Sequence, residues 1–534
     1  MNKRAYPYSL PRNATFAQKG MVATSQPLAS QAGLEMLQKG GNAVDAAIAT
    51  VACLTVVEPS SNGIGGDLFA IVWMKEEIFG LNGSGRAPNN ISIDEVKKQG
   101  HEEMPKYGWA PVTVPGAPKA WADLSKKFGD LPFEELLQPA ISYAENGFPV
   151  SPTLSRFWKK ELVKNKKELH HSIFDEWFKV FAPDGRAPEP GEIWYSKDHA
   201  ETLKEIAESK AESFYTGNLA NKISEHSKNT GGFIRAEDLS AHNSEWVDPV
   251  SVNYRGYDVW EIPPNGQGIV ALQALNILKG FEPSYKETTE SYHNQIEAIK
   301  LAFADGLEHI TEESEMRQEV KNLLSEEYGD LRRKLITEEA LLPQHGDPRN
   351  SGTVYASTAD KEGNMVSIIQ SNYQSFGSGV VVPGTGIALQ NRGNGFSLDS
   401  THVNALESNK KTYHTIIPGF LTKDKQAISS FGVMGGFMQP QGHVQILMNM
   451  IDYGLNPQAA LDAPRWQWQK GKTIEVENRF PHHIALELAN KGHDVSIQLE
   501  PNSFGRGQII YRDPKTNVLI GGTESRTDGT IACW

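Results

Sequence analysis

The chain has 534 residues, a formal net charge of -13 and two cysteines, Cys53 and Cys533. Acidic and basic residues are interspersed, which excludes the electrostatic footprint of a nucleic-acid or anionic-membrane binder. Two cysteines are too few for a disulfide framework and lack zinc-knuckle spacing, so both read as free thiols. The length allows a large buried core, in several domains or in one large α/β unit.

Residues 1–19 carry Lys3, Arg4, Pro7, Pro11 and Arg12 but no apolar run. No secretory signal is therefore expected, the expected location is cytoplasmic, and the Asn13-Ala14-Thr15 sequon has no use there. Ala29, Ala32, Gly33, Met36 and Leu37 recur at helical spacing, and Gly40-Gly41 supplies the stop. Asn42 then caps a second helix through Thr50. The nearly apolar run from Ala46 to Val57 is too short to span a bilayer and reads as a buried helix. Strands are predicted from Leu68 to Trp73 and from Ile78 to Asn82, and helices from Ala298 to His309 and from Glu315 to Lys334. Helices covering sheets in one layered body is the architecture these elements suit.

The segment from Leu342 to Gly352 is rich in Pro, Gly, Asn, Asp and Ser, the residues of an exposed connector. It runs into a predicted strand from Thr353 to Asp360, which turns at Lys361 to Asn364 and returns from Met365 to Gln370. If the bond before Thr353 is cut, its hydroxyl becomes a nucleophile with its own α-amine as the adjacent base. An α-amine has a reference pKa of about 7.7–8.0, so a neutral fraction exists at physiological pH. Taken alone, the same segment also reads as an ordinary hairpin behind an ordinary loop.

Other chemistries are not supported. There is no phosphate-binding G-x-x-x-x-G-K-[ST], and Gly63-Ile64-Gly65-Gly66 lacks the third glycine of a dinucleotide fingerprint. His170-His171 and His482-His483 are sequence neighbours without zinc-site spacing and read as surface histidines. No G-x-S-x-G elbow occurs. No cofactor and no metal are expected.

The ordered set Gly40-Gly41-Asn42-Ala43-Val44-Asp45-Ala46-Ala47, Val57-Glu58-Pro59, Gly63-Ile64-Gly65-Gly66-Asp67, Val114-Pro115-Gly116, Phe214-Tyr215-Thr216-Gly217, Pro263-Pro264-Asn265-Gly266-Gln267-Gly268 and Asp452-Tyr453-Gly454-Leu455-Asn456 resembles the γ-glutamyltranspeptidase family of N-terminal-nucleophile hydrolases nearly end to end. The resemblance implies an α+β fold, a four-layer αββα sandwich. Residues 1–352 and 353–534 would form two fragments that stay associated after cleavage and both contribute strands. Thr353 would attack the carbonyl of Gly352 and then donor amides, with water or an amine as acceptor. Gly435 and Gly436 match the family's oxyanion glycines, and Ser371 stands where a second threonine usually sits.

The donor pocket departs from the family's familiar members. Arg392 and Gly395 replace a glutamine and an aspartate that hold the donor α-amino group, and Tyr373 lies upstream. His414-Thr415 replaces a double serine. Ser84 stands at the position of the carboxylate-binding arginine, and Arg86, two residues along a strand and thus on the same face, is the expected substitute. The segment from Ser397 to Thr415 is too short for a long lid, and Ser408-Asn409-Lys410-Lys411 reads as a solvated turn. These changes are similar to the family's acylase-like branch; glutathione hydrolase or γ-glutamyltransferase activity on γ-glutamyl amides stands first, as the commonest chemistry the resemblance implies, with a glutaryl or cephalosporin acylase as the alternative. From another class, a non-catalytic binding homologue stands as the alternative. Assembly of several copies stays open.

Overall fold

The computed structural model describes residues 12–343 and 352–534; most of the connector, 344–351, lies outside the described residues, as does 1–11. Two seven-stranded sheets form the centre. The first runs in the order Cys533-containing Thr530–Cys533, Gly20–Thr24, Gly352–Asp360, Met365–Tyr373, Asp67–Met74, Glu77–Asn82 and Glu245–Val247. The second runs Thr15–Ala17, Leu519–Thr523, Arg506–Arg512, Gln426–Met434, Gly419–Lys423, Tyr257–Glu261 and Val250–Tyr254. All the pairings in these two sheets are antiparallel.

Strand alternation sorts the side chains into layers. Along Gly352–Asp360, Tyr355 and Ala359 join Phe69, Ile71, Ile369, Phe420 and Ile510 in an apolar layer between the sheets. Val354 and Ala356 point the other way, into the core under the helix Ala43–Val57. Every residue of that helix is buried, and a reciprocal capping box between Asn42 and Asp45 starts it. The outer face of the second sheet is covered by Gly268–Leu278, Thr289–His309 and Met438–Ile451. Helices, two facing sheets and helices again make the αββα sandwich that the motif order implied.

The buried helix runs on past Thr50 to Val57. The predicted helix from Glu315 to Lys334 is instead broken into Glu313–Glu315, Val320–Leu323 and Glu326–Arg333. Ser325 restarts the chain there by accepting the Tyr328 N–H at 3.2 Å. In the segment from Ser408 to Lys411 the two lysines are buried, contrary to the solvated turn expected. Lys410 Nζ bonds Glu407 at 2.7 Å and the Val403 carbonyl at 3.0 Å, and Lys411 pairs with Glu245 at 2.8 Å, so both charges are compensated. His170, His171, His482 and His483 are exposed, as read. No helix among the described residues is long and apolar enough to cross a membrane.

Candidate active site

Thr353 lies fully buried at a bulge between two strands. Gly352 pairs with Tyr373 and Val354 with Gln370, so Ser371 and Asn372 together oppose the single residue Thr353. Such bulges re-aim side chains beside active sites. Thr353 Oγ1 is 3.2 Å from Ser371 Oγ, and Ser371 Oγ in turn accepts the Tyr373 N–H at 2.8 Å. Tyr373 itself has φ 72°, in the left-handed region that an aromatic residue rarely occupies.

The ring of Tyr373 is the floor for Arg392, whose Cζ lies 4.2 Å from the ring centroid. Arg392 opens a short 3-10 turn, Arg392–Gly395, held where the Gly393 N–H donates to Pro111 O at 2.8 Å. Its side chain is 1% exposed. Nη1 donates to Thr415 Oγ1 at 2.8 Å, while Nε and Nη2 are buried without a hydrogen-bond partner among the described residues. Burial lowers the guanidinium to about 10, and Tyr373 and Asp67 oppose that shift. It is therefore charged at neutral pH, with two donors unused. A buried cation in that condition costs free energy unless a ligand completes it.

His414 is fully buried, with both ring nitrogens engaged within the protein. Its Nδ1 accepts the Ile416 N–H at 3.3 Å, which leaves Nε2–H to donate to Asp67 Oδ2 at 3.1 Å. Burial and the nearby Arg392 hold this imidazole neutral, well below the ordinary histidine range. Asp67 Oδ1 accepts from Gln390 Nε2 at 2.9 Å, Gly116 N at 3.2 Å and Gly85 N at 3.3 Å. Burial raises the Asp67 carboxyl to about 7, against the lowering effect of Arg392 and these donors. Asp67 is thus the counter-charge behind Arg392, and sequence reasoning gave it no role although it closes the quoted Gly63–Asp67 motif.

Gln267 was also missed. Its Nε2 donates to Thr415 O at 2.6 Å and Gly436 O at 2.9 Å, and its Oε1 accepts from Tyr413 Oη at 3.0 Å. One buried amide thereby ties the Arg392 partner to the candidate oxyanion glycines. The Pro263–Gly268 motif contained it, but only its position between two loops far apart in sequence reveals the task.

Gly435 and Gly436 join the strand Gln426–Met434 to the helix Met438–Ile451, with φ 133° and 62°. A side chain is strained at either angle. A Cβ on Gly435 would lie 3.1 Å from Gly505 Cα. Neither glycine N–H donates a hydrogen bond among the described residues. Two free N–H groups just ahead of a helix N-terminus form a ready site for a developing oxyanion.

The structure does not bring Arg86 to this cluster. The strand ends at Asn82, so no strand carries Ser84 and Arg86, although both line one small cavity; Ser84 bonds Asn82 Oδ1 at 2.6 Å. Arg86 pairs with Glu312 at 2.6 Å and Glu245 at 3.4 Å, and donates to Asn409 O at 2.9 Å. It lines a small separate cavity of about 210 Å³ with His242 and Lys411. Gly395 instead borders a larger cavity of about 550 Å³ with Tyr373, Tyr413 and Phe437. A second large cavity, about 580 Å³, is bordered by Gln374, Ser375, Gly435 and Arg506. Tyr373 and Gln374, and likewise Phe437 and Gly435, border different cavities.

Comparison with known proteins places the chain in a family. The family model described as Gamma-glutamyltranspeptidase matches residues 29–534. The chain is 38% identical over 524 residues to the glutathione hydrolase-like YwrD proenzyme of Bacillus subtilis, covering 96% of this chain and 98% of that protein. It is 31% identical to the acylase ACY 1 proenzyme of Pseudomonas sp. strain V22, covering 97% and 98%. The crystal structure of cephalosporin acylase from Bacillus halodurans superposes with a TM-score of 0.97 at 60% identity, covering 99% of this chain and 98% of that one. These relatives are hydrolases and acylases, two of them named as proenzymes, and the chain belongs to the γ-glutamyltranspeptidase family.

Proposed function

We propose that this protein is a self-processing N-terminal-threonine amidohydrolase whose acyl donors are amides of a dicarboxylic acid of the glutaryl type. The observation that carries the donor class is Arg392: a buried guanidinium over the ring of Tyr373, whose N–H bonds the Ser371 hydroxyl next to Thr353, with Nε and Nη2 without a hydrogen-bond partner among the described residues. A carboxylate is the group whose two oxygens match two such donors. The likeness to a cephalosporin acylase and to acylase ACY 1 supports the same class.

In the first step Thr353 Oγ attacks the Gly352 carbonyl, the C–N bond breaks, and the chain is carried as an ester on Thr353 with its amine freed. Water then hydrolyses the ester, leaving fragments 1–352 and 353–534. In turnover the α-amine of Thr353 takes the hydroxyl proton as Oγ attacks the donor amide, and passes it to the departing amine. The oxyanion faces the N–H groups of Gly435 and Gly436. Ser371 positions Oγ1, Thr415 and Tyr373 hold Arg392, and His414 sets Asp67 behind it. Water, or an amine acceptor, resolves the acyl-threonine.

A γ-glutamyl donor is the second reading, favoured by the carboxylates of Glu102, Glu103, Glu308 and Asp399 around the Tyr373 cavity, which suit a substrate ammonium. Specificity constants for glutaryl and γ-glutamyl p-nitroanilides decide between them. A glutaryl value at least equal to the γ-glutamyl value supports the proposal, and a tenfold γ-glutamyl preference overturns it. Absence of turnover on both, with a single band on a denaturing gel, would point to the non-catalytic alternative.

A further inference from the structure

One buried titratable pair takes no part in the chemistry proposed for Thr353. Glu261 closes the strand Tyr257–Glu261, and His443 lies on the helix Met438–Ile451; both are fully buried. The Val433 N–H donates to His443 Nε2 at 3.2 Å, so the ring proton sits on Nδ1, which donates to Glu261 Oε1 at 2.6 Å. Burial holds the imidazole neutral, lowering it to about 3, and pushes the Glu261 carboxyl well above the usual carboxylate range. Glu261 Oε2 has no hydrogen-bond partner among the described residues. A buried polar pair of this kind adds little net stability and fixes geometry instead.

What the pair holds is the root of the glycine turn. The strand Gln426–Met434 leads into Gly435, and its pairing with Gly419–Lys423 stops where Gly419 faces Phe431. Two residues further on, the N–H of Val433 goes to His443, which closes strand, turn and helix into a ring around Gly435 and Gly436. Close approach is built into the helix: a Cβ on Gly442, the neighbour of His443, would lie 2.7 Å from Val433 Cγ1. The two glycine N–H groups are steadied by different contacts. Gly435 O accepts the Met438 N–H at 3.1 Å, and since that carbonyl shares a planar peptide with the Gly436 N–H, the helix itself orients the second donor. The Gly435 N–H shares its peptide plane with the carbonyl of Met434, next to Val433, so the bond at Val433 steadies the first.

We propose that His443, kept by Glu261 in the tautomer that accepts the Val433 N–H, is a positioning residue for the Gly435 donor of the oxyanion site. Fully buried, it acts through the strand. This rests on the glycine pair being the oxyanion site, as proposed above, and not on the identity of the acyl donor.

The test compares wild type with His443→Phe, His443→Gln, Glu261→Leu and Glu261→Gln, each confirmed as cleaved into two fragments. Two quantities report the oxyanion site: kcat on glutaryl p-nitroanilide, and inhibition by 4-boronobutanoate, in which boron stands at the donor carbonyl carbon. Thr353 Oγ adds to that boron, its proton passes to the α-amine, and a boron oxygen takes the oxyanion's place. For a γ-glutamyl donor, the γ-glutamyl anilide and 2-amino-4-boronobutanoate serve in the same way. Phenylalanine keeps a ring but cannot accept the Val433 N–H. His443→Phe should therefore lower kcat by about 10–100-fold and weaken boronate inhibition by a similar factor, the scale of misplacing one oxyanion donor, with KM within about twofold. Glu261→Leu should lose about tenfold in both. His443→Gln and Glu261→Gln retain an acceptor and should stay within about threefold. Unchanged kcat and boronate affinity in His443→Phe, or a loss seen in KM or Tm alone, overturns the proposal. If His443→Phe is not folded and cut, Glu261→Leu, which leaves the imidazole in place, decides by the same criterion. Gly436→Val separates the two readings. If it keeps kcat and boronate affinity, the oxyanion reading has failed and this inference with it; if it loses them while His443→Phe does not, only this inference falls.

Discussion

Replacing Arg392 with methionine separates what the residue does for the fold from what it does for the substrate. In the structure the guanidinium makes one hydrogen bond, to Thr415 Oγ1 at 2.8 Å, and lies over Tyr373. Those two contacts are worth about 1 kcal/mol and about 1–2 kcal/mol. Against them stands the desolvation of a side chain that is 1% exposed, an effective penalty of several kcal/mol for a buried ion. Asp67, left without its counter-charge, protonates rather than remaining a buried anion. Arg392→Met should therefore fold with a Tm equal to or above that of wild type. Catalysis should move the other way. A donor carboxylate taking hydrogen bonds from Nε and Nη2 gains about 1.5–3 kcal/mol from each, so kcat/KM for glutaryl p-nitroanilide should fall by roughly 10²–10⁴. Pentanoyl p-nitroanilide has the same carbon chain without the carboxylate and should change by less than about threefold. The measurement is initial rates on both anilides together with scanning calorimetry. An equal fall on both anilides would refute carboxylate recognition by Arg392, and a lowered Tm would refute the account of its energetics.

Thr353→Ala should leave one intact chain on a denaturing gel, whereas the wild-type small fragment should sequence from Thr353; any other start removes the proposed nucleophile. Gly436→Val, strained at φ 62°, should lower kcat by about a hundredfold or more while the protein stays folded, the scale of losing an oxyanion donor. KM for a glutaryl donor should rise as pH passes about 7, where the buried Asp67 carboxyl ionises and competes with the donor carboxylate for Arg392. Because its pKa is raised on folding, Asp67 favours the folded state most at low pH and that contribution is lost as pH rises from about 4 to about 7. The KM profile of Asp67→Asn, confirmed as cleaved, should be flat across that window.

Local sequence carried the elements whose cause is local. Asn42 and the apolar run behind it specify a capped, buried helix without help from the rest of the chain. The Thr353 strand and its return at Met365 follow from β-branched residues around a turn. What stayed illegible is what depends on distant partners. The restart at Glu326 is set by Ser325, whose capping role competes with a continuous helix only once the chain is packed. Lys410 and Lys411 look like solvated charges until Glu407 and Glu245 are placed beside them. Arg86 failed for a related reason, since nothing in Gly83-Ser84-Gly85 announces that the strand stops at Asn82. Arg392 was legible as an exchanged residue, but its two unused donors are a property of the pocket alone. Asp67 and Gln267 lay inside quoted motifs and still had no assignable task, because a motif gives a residue type and not the loop it ties.

The fold is also arranged so that the proposed cut before Thr353 would leave the candidate site in place. In the first sheet, Gly352–Asp360 lies between Gly20–Thr24 from the large fragment and Met365–Tyr373 from the small one, and Met365–Tyr373 lies against Asp67–Met74 from the large one. In the second, Gly419–Lys423 of the small fragment pairs with Tyr257–Glu261 of the large. Neither fragment can complete either sheet alone, and each would expose an apolar sheet face if they separated. The proposed cleavage would therefore change one peptide bond and leave the ladders standing. It also places Ser371, Tyr373, Arg392, Thr415 and both glycines on the small fragment with Thr353, while Asp67 and Gln267, which hold Arg392 and the glycine turn in place, come from the large. Some of the proposed positioning groups, Asp67 and Gln267, thus lie across the proposed cut from Thr353, so the proposed site draws on both fragments.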